Sequence, residues 1–334
     1  MPLSRENALP VRFSILLAAL LACGACSAEA ATSTTAPATT GPTVAETTST
    51  SEQPRANTFV GADGVGSTIE DTSRIVTLSG DLTETVWKLG FGDSVVATDV
   101  TTVFPPEAVG LPVVGVGRFL SAEGVLAQEP TLVIGDTQTA PLEAIEQIRS
   151  AGVPVVILDV PTTFDGLYDK IADLAEALGV PERGDEIVQE LRSDVQAALE
   201  TASEIDPPPG IAFVYSRGPD VMLLFGSEMT TQPLIEAAGG IDVGTASGVT
   251  GTVSVTPEAI VAAAPDVIII TSEGLQALGG EAGLLAMPGF AETPAGRDGR
   301  ILDYPEGDFL TFGPRIAESL SLLIADLKTA LADQ

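Results

Sequence analysis

From residue 74 onward, short β-branched runs alternate with stretches whose apolar residues recur every three or four positions. Arg74-Ile-Val-Thr-Leu78 is the first such run, and Ser79-Gly80-Asp81 ends it. A helix is predicted over Leu82–Leu89, closed by Gly90. The pattern next predicts a strand at Ser94–Ala97, a loop through Phe104-Pro105-Pro106 and a helix at Ser121–Gln128. A strand at Thr131–Ile134, a helix at Leu142–Ala151 stopped by Gly152, and a strand at Val153–Leu158 follow. Strands alternating with helices imply βαβ units and parallel sheets. Two helices, Asp165–Leu178 and Arg183–Ser203, then precede Pro207-Pro-Pro-Gly210 and a strand at Ile211–Ser216. In the second helix Ile187, Leu191, Val195, Ala198, Leu199 and Ala202 make one apolar stripe. A helix of that length spans ~30 Å, which suits a rigid strut across the backs of two lobes.

A repeat supports two lobes. Ser121-Ala-Glu123-Gly-Val-Leu-Ala-Gln-Glu-Pro130-Thr-Leu-Val-Ile134 aligns without gaps on Thr256-Pro-Glu258-Ala-Ile-Val-Ala-Ala-Ala-Pro265-Asp-Val-Ile-Ile269. Any helix–Pro–strand unit shares the outline, but the Glu matched before each Pro does not follow from the outline. The expected fold class is therefore α/β, with two Rossmann-like lobes joined by a single long helix. The expected partition is a first lobe at 58–163, linking helices at 164–209 and a second lobe at 210–334.

The N-terminus reads as an export signal. Arg5 and Arg12 flank the start, and Phe13–Ala22 is apolar or small but too short to span a bilayer. It runs into Leu20-Leu-Ala-Cys23, the pattern of a bacterial lipoprotein site, with Cys23 to be acylated; Cys26 fits less well. Residues 1–22 are thus expected to be the signal peptide. Residues 23–57 are expected to be a lipid-anchored, disordered tether, since 27–57 is Ser, Thr, Ala and Pro with hardly a larger apolar residue. An anchor, a leash and a folded domain belong at the outer face of the cytoplasmic membrane.

Composition narrows the chemistry. The 334 residues carry a formal charge of -31, which argues against a nucleic-acid partner, because phosphate backbones need a basic face. There is no histidine, so imidazole catalysis and imidazole ligation are excluded. Both cysteines precede the folded part, so it holds no disulfide. No nucleophile–base pair or metal cluster is visible, and Gly90-Phe-Gly92 is too slight for a phosphate loop. An enzyme is not expected.

The lipoprotein signal, two lobes and strut resemble the substrate-binding proteins of ABC importers for iron chelates, cobalamin and haem. Several runs narrow the resemblance to the haemin-binding branch: Arg118-Phe-Leu-Ser-Ala-Glu-Gly-Val-Leu, Thr83-Glu84 and Pro105-Pro-Glu-Ala108, then Leu284-Leu-Ala-Met-Pro-Gly289, Thr293-Pro-Ala-Gly-Arg297 and Phe312-Gly-Pro-Arg315. It extends from about Arg74 to the C-terminus. It implies capture of ferric haem in the cleft between lobes and delivery to an ABC permease and its ATPase. Haem would be cargo, received free or from a haem-donor protein, and not a catalytic cofactor. The family places an iron-binding Tyr or His two residues before Arg118, where this chain has Val116. Gram-positive relatives add a Tyr followed two residues later by an Arg, present here as Tyr215-Ser-Arg217. The lost ligand at Val116 keeps a siderophore or cobalamin binder open as an alternative, with a structural envelope lipoprotein more remote.

Tyr215 and Arg217 also stand out without the resemblance. They end a strand, share one face of it, and ligands of open α/β sheets sit beyond the carboxyl ends of strands. Ferric iron and a neighbouring guanidinium would both favour the phenolate. The plain alternative is a strand-end Tyr with its hydroxyl in water and an Arg in a surface pair. Arg118 is the candidate for a haem propionate, with Arg315 a second. Phe104, Phe119, Met222, Leu224 and Phe225 are candidate apolar walls that would equally suit a core. Met222, Met229 and Met287 could offer a thioether. Tyr168, in a predicted helix, and Tyr304, in a predicted loop, lack the strand-end setting. The resemblance makes Glu123 and Glu258, one per lobe, surface docking residues for the permease; a carboxylate near a helix start is also favoured by the dipole alone.

Overall fold

The structure is a computed structural model that describes residues 57–332. The signal segment 1–22, Cys23 and the tether to residue 56 lie outside the described residues. The first elements are β1 (Asn57–Val60) and β2 (Gly66–Ile69), paired antiparallel. This hairpin corrects the tether boundary at 57. Its strands are four residues each, too brief for a periodic signal, yet Phe59 and Ile69 are buried in the core. The Asn57 amide donates to the carbonyl oxygens of Glu176 and Ala177.

The first lobe is built on β3 (Ile75–Thr77), β4 (Val95–Ala97), β5 (Leu132–Asp136) and β6 (Val155–Leu158), in the order β4-β3-β5-β6 and wholly parallel. All residues of β3, β5 and β6 are buried, which is why they read as apolar, largely β-branched runs.

The second lobe uses β7 (Gly210–Ser216), β8 (Met222–Phe225), β9 (Ile241–Asp242), β10 (Thr252–Ser254), β11 (Val267–Thr271) and β12 (Ile301–Tyr304). Their order is β10-β8-β7-β11-β12, with β9 beside β7. Here the expectation of parallel sheets needs correction. β8 runs antiparallel to β7, and β10 antiparallel to β8. The turn closed by the Arg217 amide on the Val221 carbonyl (3.0 Å) joins β7 to β8, and only antiparallel neighbours can be joined so tightly.

The repeat is structural. Ser121 and Thr256 cap the helices Ala122–Leu126 and Pro257–Ala263, accepting from the amides of Gly124 and Ala259. Glu129 (φ 50°) and Ala264 (φ 46°) both turn left-handed just before Pro130 and Pro265. A following proline disfavours the right-handed helical region, so the chain leaves the helix at the same step in each lobe.

The strut is the 22-residue helix Pro181–Ala202, ~33 Å long. It buries Ile187, Leu191, Val195, Ala198 and Ala202 as expected. Leu199 is 36% exposed, because it lies at the edge of the stripe, ~100° around the helix from Ala198. Gly184 lets the strut touch the helix Phe164–Ala177, since a Cβ there would lie 2.4 Å from Ala175 Cβ. The helix Ile316–Ala332 packs on the strut as well. One continuous core includes β3, β5, β7 and β11 residues, the strut stripe and Leu320, Leu323 and Leu327. The lobes therefore share apolar packing besides their covalent link.

Candidate functional site

A cavity of about 690 Å³ opens between the lobes. The carboxyl ends of β3 and β5 bring Ser79, Asp81 and Asp136 to it from one side, and β7 brings Tyr215 and Arg217 from the other. This is the crevice in which open α/β sheets hold their ligands.

Tyr215 is half-buried. Its ring lies on Phe225, with centroids 5.9 Å apart and planes 28° apart, and the Arg217 guanidinium sits 4.8 Å from the ring centroid. Arg217 Nη2 donates to both carboxylate oxygens of Glu306, at 2.9 and 2.8 Å. The Glu306 amide in turn donates to Glu273 Oε2 at 3.1 Å. Burial pushes the Tyr215 phenol up, and Glu306 adds to that rise while Arg217 opposes it. Glu306, which faces the same pair, therefore works against the effect expected of Arg217. The phenol is therefore neutral at ordinary pH, and a Lewis acid would be needed to draw off its proton.

On the facing wall, Val116 and Arg118 both line the cavity. They flank Gly117, whose Cβ would lie 2.8 Å from the Leu78 carbonyl oxygen, so only glycine lets this turn rest on the end of β3. Arg118 donates to Gln138 Oε1 and has no carboxylate partner among the described residues. It is free to pair with an anionic group of a ligand.

β8 sorts the apolar candidates by alternation. Met222 and Leu224 point into the second-lobe core, which corrects their assignment as cavity walls. Leu223 and Phe225, on the other face, line the cavity, and so does Met229. Met287 packs against the second-lobe core. Phe119 is 82% exposed and is not part of the lining. Arg315 and Phe104 are also corrected. Arg315 Nη2 donates to Glu84 Oε1 at 2.8 Å and its Nη1 to Asp308 Oδ1 at 2.9 Å, over the Phe104 ring (4.1 Å), so neither side chain lines the cavity. Tyr168 is buried beneath Arg192. Tyr304 ends β12 and is not in a loop; its hydroxyl donates to Asp326 Oδ2 at 2.8 Å.

Glu306 is one functional candidate that the sequence reading missed; it starts the short helix Glu306–Leu310 with no periodic signal around it. The polar floor was missed too. Lys170 Nζ lies 2.5 Å from Asp81 Oδ2, with Asp99 and Asp136 nearby in the lining. Burial raises Asp99 to about 6 and raises Asp136 against the pull of Lys170. Position just after the strands was the available signal. Among the described residues no group of three or more Asp or Glu side chains is placed to hold a bare metal ion. Glu123 and Glu258 are both exposed, each second in its capped helix.

The chain as a whole is similar to known proteins. The family model described as periplasmic binding protein matches residues 75–307. The apo structure of the periplasmic heme-binding protein RhuT from Roseiflexus sp. RS-1 is 41% identical, with a TM-score of 0.75, covering 78% of this chain and 99% of that one. The heme-binding protein HmuT is 33% identical, with a TM-score of 0.78, covering 84% of this chain and 93% of that one. An uncharacterized ABC transporter substrate-binding lipoprotein of Bacillus subtilis, YvrC, is 29% identical over 268 residues, 76% of this chain and 79% of that protein.

Proposed function

The chain belongs to the periplasmic binding protein family, and we propose that within it this protein captures ferric haem in the inter-lobe cavity and delivers it to an ABC permease. The observation that carries this reading is Tyr215 with Arg217 in a cavity walled by Leu223 and Phe225. A porphyrin presents an apolar face, two propionates and a Lewis-acidic iron; the face, the iron and one propionate each meet a candidate partner among the lining residues. The Tyr215 oxygen binds the iron as its phenol proton leaves to solvent. Arg217 offsets the phenolate charge, held in place by Glu306. Arg118 takes a propionate. Phe225 and Leu223 cover porphyrin edge and face. Val116, opposite, offers the iron nothing, so the iron stays five-coordinate or takes water.

The rest of the reading follows from transport. Acylated Cys23 holds the protein at the outer face of the membrane, and Glu123 and Glu258 dock one lobe each on the permease, whose ATPase drives import. Haem reaches the site free or from a donor protein. The deciding experiment titrates the purified protein with haemin, cyanocobalamin and a ferric siderophore. Stoichiometric appearance of a Soret band with high-spin ferric-phenolate absorption is expected. Binding of the corrinoid or siderophore with no haemin band would overturn the proposal.

A further inference from the structure

Residues 305–315 form a strap that belongs to the second lobe in sequence and contacts both lobes in space. At one end Glu306 grips Arg217 with both carboxylate oxygens. At the other end Arg315 spans the lobes: it reaches Glu84, on the first-lobe helix Gly80–Lys88, while binding Asp308 of its own strap. The segment between is seated throughout. Gly307 presses on Val103 of the first lobe, where a Cβ would come within 2.0 Å of Val103 Cγ2. Phe309 stacks on Phe213 of β7 at 5.4 Å, two residues before Tyr215, and Phe312 meets Phe164 at 5.3 Å.

The Glu84–Arg315 pair is an expensive contact to keep for packing alone. Glu84 is 3% exposed, and its Oε2 and Arg315 Nε have no partner among the described residues. Buried ion pairs of this kind are often matched in stability by apolar residues, so they point to a geometric role. We propose that Glu84 and Arg315 are positioning residues that lock the strap to the first lobe, and thereby hold Glu306, Arg217 and Tyr215 at the spacing a bound haem requires. The inference rests on the reading of Tyr215 as a ligand-binding residue.

The test compares Glu84→Gln, Arg315→Lys and the double variant Glu84→Met with Arg315→Met, in the full chain. Hydrogen exchange of residues 305–315 is read on the empty protein, haemin affinity by absorption titration, and thermal midpoint alongside. The double variant replaces both polar side chains with apolar ones, so it is expected to recover the midpoint lost by Glu84→Gln. Its strap should nonetheless exchange faster, and its haemin Kd should rise at least tenfold. Arg315→Lys keeps charge without the two-pronged fork and should fall between. Unchanged strap protection in the double variant overturns the lock. So does a mobile strap with unaltered haemin affinity, or affinity that merely tracks the midpoint across the series. Failure of the parent protein to take haemin overturns the underlying reading instead, while the exchange measurement still decides whether the pair holds the strap.

Discussion

Replacing Tyr215 with Phe isolates one oxygen atom. The ring remains on Phe225, whose centroid is 5.9 Å away, and Arg217 remains 4.8 Å above it. The Arg217–Glu306 ion pair is made without the phenol and persists. Core packing is untouched, so the thermal midpoint of the empty protein should move little. A neutral hydrogen bond lost from the site would weaken binding by ~1 kcal/mol, about fivefold. Loss of an iron–oxygen bond must exceed that and should pass tenfold, ~1.4 kcal/mol. Absorption and electron paramagnetic resonance during haemin titration separate the two cases, because the ferric-phenolate bands vanish only if the oxygen is a ligand. A Tyr215→Phe protein that binds haemin within fivefold of the parent, with the same spectrum, refutes the assignment.

Val116 lies in the lining with extended backbone (φ -104°, ψ 131°) that any residue adopts. Val116→His is therefore expected to convert the bound haem to a six-coordinate low-spin form, and a persistent high-spin spectrum would show that position 116 does not face the iron. Glu84 is raised by burial to about 7 and Asp99 to about 6, so the folded chain keeps protons that the unfolded chain releases near pH 4. Their stabilising contribution is complete below pH 4 and is lost as pH climbs through 6 and 7, up to ~3 kcal/mol for Glu84. Calorimetry should accordingly find a lower midpoint at pH 8 than at pH 5, with the difference reduced in Glu84→Gln and Asp99→Asn. Glu123→Ala combined with Glu258→Ala should leave haemin affinity unchanged and stop uptake in cells; normal uptake removes the docking role. Cys23→Ser should abolish incorporation of labelled palmitate and release the protein from membranes, whereas lipid found on Cys26 would move the anchor.

Much of the scaffold was legible because it is local. The first-lobe strands announce themselves as largely β-branched runs, since burial on both faces favours apolar residues and confines polar ones such as Thr77 and Asp136 to the strand ends. The strut shows its stripe because a helix buried along one side repeats at 3.6 residues. The paired caps and prolines of the two lobes survive as a motif because each sets a backbone turn within a few residues. Tyr215 and Arg217 were visible for the same reason, as alternate residues ending one strand. The β1–β2 hairpin was hidden because four-residue strands carry too little periodicity, and the antiparallel course of β8 because a tight turn at 217–221 looks like any other loop.

What chemistry-bearing side chains do depends on partners distant in the chain. Met222 and Leu223 differ only by strand alternation, and the register with Ser216 and Tyr215 decides which of them meets the cavity. Arg315 looked like a cavity cation until folding placed it against Glu84, 231 residues away. Glu306 is 89 residues from Arg217, yet it faces the same phenol and raises it. By itself the sequence determined the elements, the two-lobe repeat and the strand end that carries Tyr215, because backbone preference and burial pattern act within a turn or a strand. The tertiary structure alone decided which charges pair with each other and which, like Arg118, meet no carboxylate among the described residues, because electrostatic pairing depends on distance in space and not along the chain.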